Sequence, residues 1–277
     1  MEEVISSGIS RKKGAFEKRI HEIDFLRGFL MCLVIMDHIF WCLKHYNGIW
    51  FDATNVAFFK VIFQIFDFYW KSNAREIVRV FAIFGFCFVS GVSSAFSKNN
   101  WKRAGQMILV AGVIAVGSNL LDSYHLLGSQ VLRIDFNVIA VLAWSTLFYC
   151  FVQDKSWRSI LAGCLSTLLI AWYLVPWLKE INDVHGFDAF VPSLWLPSAA
   201  QADWLPLFPY MLLFFLGALF SYFFYKDSKV SLIKKKGNWE RPFCFMGRHS
   251  LIIYLAHQFV MTPIFVLLTV IITGKGV

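Results

Sequence analysis

Residues 24–43 read DFLRGFLMCLVIMDHIFWCL, an unbroken apolar run except for Asp24, Arg27, Asp37 and His38. A helix needs about 20 apolar residues to cross the hydrocarbon layer of a bilayer, so this stretch decides the fold class. Similar runs recur at about 77–96, 104–121, 133–152, 159–178, 207–225 and 249–272. The stretch 57–70, AFFKVIFQIFDFYW, is shorter and carries Lys60, Gln64 and Asp67. It reads as an interfacial or re-entrant helix. The expectation is an all-α membrane protein, a polytopic bundle of about seven transmembrane helices plus that one extra helix.

Composition points the same way. The hydrophobic class holds 58% of the residues and the charged class 16%, with 30 Phe and 11 Trp. A water-soluble core that buried so much apolar surface would leave too little polar surface to cover it. No Pro/Gly/Ser-rich linker divides the chain after residue 23, so residues 24–277 read as one transmembrane domain. The polar, basic segment 1–23 reads as a cytoplasmic lead-in and not as a cleaved signal peptide. The six cysteines stand singly, without metal-ligand spacing, and read as buried free thiols.

Lys and Arg accumulate on cytoplasmic loops. With the N-terminus inside, segments 1–23, 97–103, 153–158 and 226–248 carry most of the cations, including Lys234-Lys235-Lys236. A crossing at 57–70 would reverse every later loop and put that cluster outside, so seven crossings fit better. The net charge of +8 is mostly this asymmetry, which makes nucleic acid an unnecessary partner. The expected location is the cell membrane, multi-pass, with a cytoplasmic N-terminus. The outer loop 179–206, rich in acids, aromatics and prolines, is long for a connection and reads as a lid or substrate surface.

Ionisable groups inside spans are costly and mark function. At about 100° per residue, Arg27 and His38 share one helix face, separated by roughly 16 Å of rise. One stripe thus presents a cation toward the inner edge and an imidazole toward the outer one. Asp24 lies within i,i+3 reach of Arg27. The plainer reading is a structural Asp24–Arg27 pair, with Arg27 snorkelling to the headgroups and His38 packed beside Asp37. A neutral imidazole both accepts and donates a proton near pH 7, which favours function for His38.

The last span holds a second constellation: Gly247-Arg248-His249-Ser250 at its start, then Tyr254, His257 and Gln258 deeper in. Arg248 and the basic loop before it suit a phosphorylated ligand, with backbone N–H groups at the helix start adding to the attraction. The positive-inside rule acting on an ordinary helix end explains the same cations. His257 with Gln258 reads as a polar site, against the alternative of a satisfied interhelical bond. Asp135 and Asn137 in the fourth span, and Asp203 with Pro206 and Pro209 before the sixth, are smaller signals. The chain has no Walker A loop, GxGxxG, HExxH or GxSxG, and no internal repeat.

Arg19-Ile20-His21-Glu22-Ile23-Asp24-Phe25-Leu26-Arg27-Gly28 followed by Met36-Asp37-His38, then Asp203-Trp204-Leu205-Pro206-Leu207-Phe208-Pro209-Tyr210, then Gly247-Arg248-His249-Ser250-Leu251-Ile252-Ile253-Tyr254-Leu255-Ala256-His257-Gln258, resemble in order the signature blocks of the heparan-α-glucosaminide N-acetyltransferase catalytic family. Arg27, ten residues, then His38 also resembles the signature of the wider membrane acyltransferases. The resemblance implies a multi-span enzyme that takes an acetyl group from cytosolic acetyl-CoA, its co-substrate, to an amine or hydroxyl of a sugar or glycan on the far side. It implies no metal. Catalytic candidates are His38, Asp37 as a carboxylate orienting it, His257, and His45, since Leu43-Lys44-His45 resembles a segment of the eukaryotic members that holds their catalytic histidine. Arg27, Asp24, Arg248, His249 and Ser250 are the candidates for the CoA end, and Asp203, Gln258 and Asn137 for the acceptor. His38 would act as general base or as a transient acetyl carrier.

The block Ile134-Asp135-Phe136-Asn137-Val138-Ile139-Ala140 departs from the family, in which many relatives place a Gly and a His where Asn137 and Ala140 stand. That departure is the best support for one alternative, a non-catalytic member of the fold. A transporter or exporter of a sugar or lipid-linked product is the other alternative, because membrane charges around a cavity suit it equally. Partners are then acetyl-CoA, a sugar acceptor and the lipid bilayer, with a homo-oligomer left open.

Overall fold

In the computed structural model the stretch that begins at Asp24 is part of a helix far longer than a bilayer needs. Helix α1 spans His21–Thr54, 34 residues, or about 51 Å at 1.5 Å per residue against a hydrocarbon core of about 30 Å. The apolar run stops at Lys44, but the helical period does not: Cys42, Tyr46 and Trp50, four apart, are all buried. Asn55 ends the helix in the left-handed region at φ 55, its N–H donating to the Phe51 carbonyl.

The structure describes residues 20–123, 134, 136–153, 156–174, 176–177, 205–225 and 237–274, without the side chains of 121–123 and 258. After α1 come α2 (Ala57–Trp70), α3 (Asn73–Ser94), α4 (Asn100–Ser123), α5 (Val138–Cys150), α6 (Trp157–Leu169, continued by a π turn Ile170–Leu174), α7 (Leu207–Phe224), a 3₁₀ turn Asn238–Glu240, α8 (Arg241–Arg248) and α9 (Ser250–Thr273). Among the described residues there is no strand, and six helices are long and apolar enough to cross a membrane: α1, α3, α4, α6 with its π turn, α7 and α9. The expected fourth span is shorter than the run 133–152. It begins only at Val138, because Asn137 caps it by accepting from the N–H groups of Ile139 and Ala140. The remaining 13 residues are mostly apolar and mostly buried, Ser145 and Thr146 among them. The loop 179–206, apart from its last two residues, lies outside the described residues, as do Asp135, Asp203 and the cluster Lys234-Lys235-Lys236.

The chain forms two compact units, Met1–Ala82 with Phe223–Phe265, and Ile83–Tyr222 with Val266–Val277. The second unit packs α5 and α7 around Phe214, Val141 and Ala218, all fully buried. Gly91 on α3 and Gly217 on α7 let those helices touch backbone to backbone: a Cβ on either would overlap a carbonyl of the other helix, at Phe214 or Phe88. Small residues at such contacts are the usual way for membrane helices to gain packing area.

In the first unit α9 lies along α1 in parallel. His38 meets His257, and eight residues on in each helix Tyr46 stacks on Phe265, with ring centroids 5.0 Å apart. Two contacts in the same register fix the relative direction. Two parallel helices must enter the bilayer from the same side, so an odd number of crossings separates them. With α3, α4, α6 and α7 crossing, parity among the described helices admits only one of α2 and α5. Helix α5 carries no acid, base or amide side chain, whereas α2 carries Lys60, Gln64 and Asp67. Helix α5 is therefore the crossing one.

Candidate functional site

The polar residues of α1 resolve into three clusters within the first unit. At the start of the helix, the Arg248 Nε donates to the Asp24 Oδ2 at 3.1 Å. Asp24 is buried and Arg248 is partly exposed. The two come together because α8 presses onto α1 through glycines: a Cβ on Gly28 would overlap the Phe243 carbonyl, and one on Gly247 would overlap that of Asp24. Phe25 and Phe29 pack on Phe243 beside this contact. The His21 Nε2 lies 3.1 Å from the Glu240 Oε2. Arg27 is half-buried one turn above Asp24. His249 ends α8, its Nδ1 facing the Phe245 carbonyl at 3.0 Å, and Ser250 opens α9. Sequence neighbourhood suggests an Asp24–Arg27 pair; the structure joins Asp24 to a residue 224 positions away.

About 21 Å of helical rise beyond Asp24 lies the second cluster. The His38 Nδ1 stands 2.9 Å from the Val34 carbonyl, and the His257 Nδ1 is hydrogen-bonded to the Tyr254 carbonyl. The His257 Nε2 approaches the His38 Nδ1 to 3.3 Å, with the ring centroids 4.9 Å apart. A carbonyl only accepts, so each Nδ1 must carry its ring's hydrogen in the neutral state. The network thereby assigns both tautomers. His38 Nδ1–H is shared between Val34 and the His257 Nε2 lone pair, and the basic nitrogen of His38 is Nε2. That nitrogen can take a proton or attack a carbonyl carbon.

Asp37, next in sequence, turns away from the imidazole. Its carboxylate receives Arg75 in a two-pronged pair, Nε to Oδ1 at 3.0 Å and Nη2 to Oδ2 at 3.2 Å. Arg75 also reaches Glu76 at 3.2 Å and lies 3.4 Å above the Trp70 ring. Beside it Asp67 holds both Lys44 and Lys71, at 2.9 and 2.7 Å. Hydrogen bonds from Lys71 and then Lys44 hold the Asp67 carboxyl below its ordinary range. These pairs tie α2 and the start of α3 to α1. Asp37 is thus engaged with Arg75, and His38 takes its orientation from Val34 and His257.

His45 stands two turns beyond His38, its ring stacked on Trp41 with centroids 5.0 Å apart at an interplanar angle of 6°. Asn137 lies in the other unit, where its side-chain oxygen is taken by the cap of α5. The side chains of Gln258 and Asp203 lie outside the described residues. Sequence reasoning missed Arg75 as the partner of Asp37. A carboxylate inside a span needs a counter-charge, and Arg75 and Arg79 both open the next span, but which one reaches it is decided by the turn at 71–72.

A family model, heparan-α-glucosaminide N-acetyltransferase, catalytic, matches residues 19–259. The chain belongs to this family. It is an integral membrane protein of a membrane acetyltransferase family, and the matched residues include all three polar clusters. No curated protein and no solved structure matches the chain. Among the described residues no group of three His, Cys, Asp or Glu is arranged to hold a metal ion.

Proposed function

We propose that this protein moves an acetyl group from cytosolic acetyl-CoA to an amine or hydroxyl of a sugar on the extracytoplasmic side. The observation that carries the reading is the placement of two clusters on one helix: the Asp24–Arg248 pair at the start of α1, and His38 with a bare Nε2 about 21 Å of rise further on. Arg248, partly exposed and steadied by Asp24, suits the phosphates of CoA, with His249 and Ser250 beside it and Arg27 on the same face as His38. The pantetheine arm is long enough to lead from such a mouth toward the imidazole.

His38 Nε2 removes the acceptor's proton as its nitrogen or oxygen attacks the thioester carbonyl, and returns a proton to the CoA thiolate. A variant of the route places the acetyl group on Nε2 first. Both use the same lone pair. The N-terminus is cytoplasmic in this reading, as the distribution of Lys and Arg supports.

The test uses purified protein with radiolabelled acetyl-CoA and D-glucosamine as acceptor. Labelled N-acetylglucosamine that forms with wild type and is lost with His38→Ala supports the proposal. Undetectable binding of acetyl-CoA, or binding that is measurable but unchanged in Arg248→Ala, would overturn it.

A further inference from the structure

We infer that His257 is a positioning residue of the transfer reaction, holding His38 in the tautomer with a bare Nε2 and sharing the proton that His38 collects. The inference rests on the reading of His38 given above and adds a second proton-holding group to it.

The geometry supplies both halves. The Val34 carbonyl at 2.9 Å and the His257 Nε2 at 3.3 Å both lie at His38 Nδ1, so the Nδ1 hydrogen has two acceptors and Nε2 is left as the base. His257 can offer a lone pair there only because its own hydrogen is held on Nδ1 by the Tyr254 carbonyl. His257 is buried and belongs to α9, which runs parallel to α1 and is fixed further on by Phe265 against Tyr46. The two rings are held by separate helices, each by a backbone carbonyl of its own helix.

Protons balance through the cycle. The acceptor's N–H or O–H proton goes to His38 Nε2 as the new bond to the acetyl carbon forms. The Nδ1 hydrogen then moves along its hydrogen bond to His257 Nε2, leaving the charge on His257 beside the Tyr254 carbonyl. When the C–S bond breaks, His38 Nε2–H protonates the CoA thiolate, and His257 returns its hydrogen to His38 Nδ1. Both rings end as they began, with no other reactant consumed. The titratable neighbours of the pair are Tyr254 on α9, with its ring 5.5 Å from His257, Asp37 on α1 engaged by Arg75 of α3, and His45 on α1 against Trp41.

The test is made on the full chain in lipid nanodiscs, with ¹⁵N-labelled histidine, in wild type, His257→Phe and His257→Gln. In wild type, ¹⁵N shifts should report a protonated Nδ1 and a bare Nε2 for both His38 and His257. His257→Phe should turn His38 into a mixture of tautomers. It should lower kcat for acetyl transfer from acetyl-CoA to D-glucosamine by about 100-fold, within the range of a lost acid–base contribution, and move the acid limb of the kcat profile, leaving the KM for acetyl-CoA within about twofold. His257→Gln keeps an acceptor for the His38 Nδ1–H but cannot carry the proton, so it should restore the tautomer and only part of the rate. A protonated His38 Nε2 in wild type, or an unchanged kcat profile in His257→Phe, would overturn the inference. If His257→Phe fails to fold, the wild-type shifts and the glutamine variant decide. Full transfer activity in His38→Ala would instead remove the reading of His38 itself.

Discussion

At the scale of single residues, the acids and cations of α1 divide into groups with different consequences. Asp37 and Arg75 form a two-pronged pair with little solvent access, 11% for the arginine side chain and 20% for the aspartate. Removing one partner leaves the other charge desolvated. Arg75→Ala should therefore lower thermal stability by about 2 kcal/mol, a value discounted from the fully buried range for the remaining exposure, and Asp37→Asn by a similar amount. A double-mutant cycle should return most of the loss as coupling between the two. Singles that add without coupling would show that the pair does not hold α3 to α1. His45 gives a contrasting expectation: stacked on Trp41 two turns from the imidazole pair, its change to Ala should reduce turnover less than about tenfold, against about 10²–10⁴-fold for His38→Ala.

At the scale of elements, two helices depend on contacts that a residue list does not reveal. Helix α8 reaches α1 through Gly28 and Gly247, with no room for a methyl group on either. Gly28→Ala should cost about 1–3 kcal/mol through overpacking and should raise the KM for acetyl-CoA, because it moves Arg248 off Asp24; an unchanged KM would detach this contact from substrate binding. Helix α2 depends on Asp67. Its carboxyl is held below the ordinary range by Lys71 and Lys44, so the contribution is fully present above the unfolded carboxylate pKa. It is lost only as pH falls through the lower folded value. The fluorescence difference between wild type and Trp70→Phe, which reports on Lys44 and Arg75 above that ring, should hold steady from neutral pH to about pH 4 and change below it; Asp67→Asn should remove that acid transition.

Much of this level was legible from apolar runs, since a sustained stretch of Phe, Leu and Ile identifies a membrane helix whatever its neighbours. The ends of helices were less legible. Helix α1 runs on through Lys44, His45 and Asn47 because its buried stripe of Cys42, Tyr46 and Trp50 continues past the apolar run, while α5 is shortened by a cap at Asn137. The candidate residues were legible as types, but their pairing was not. His38 with His257, Asp24 with Arg248 and Asp37 with Arg75 each join distant parts of the chain, and periodicity within one helix says nothing of which other helix lies alongside.

At the scale of the whole molecule, the parallel run of α1 and α9 restricts how the chain threads a bilayer. Parity leaves α2 on one side, so cysteines placed at Asn55 and Asn73, before and after it, should react with an impermeant thiol reagent from the same side of sealed vesicles; opposite accessibility would make α2 a crossing helix. That arrangement starts α1 and α9 on one face of the membrane, with Arg248 and Asp24 at that face and the imidazole pair deeper along both helices. In the proposed reading the Asp24–Arg248 pair is the CoA end and His38 the transfer end, on one helix. The most direct measurement is acetyl transfer in sealed vesicles holding the oriented protein, with radiolabelled acetyl-CoA supplied at the face of Arg248 and D-glucosamine at the other. Wild type should give labelled N-acetylglucosamine on the glucosamine side, and His38→Ala none above background. Transfer that persists without His38, or product that forms only when both substrates share one side, would rule out transfer across the membrane through His38.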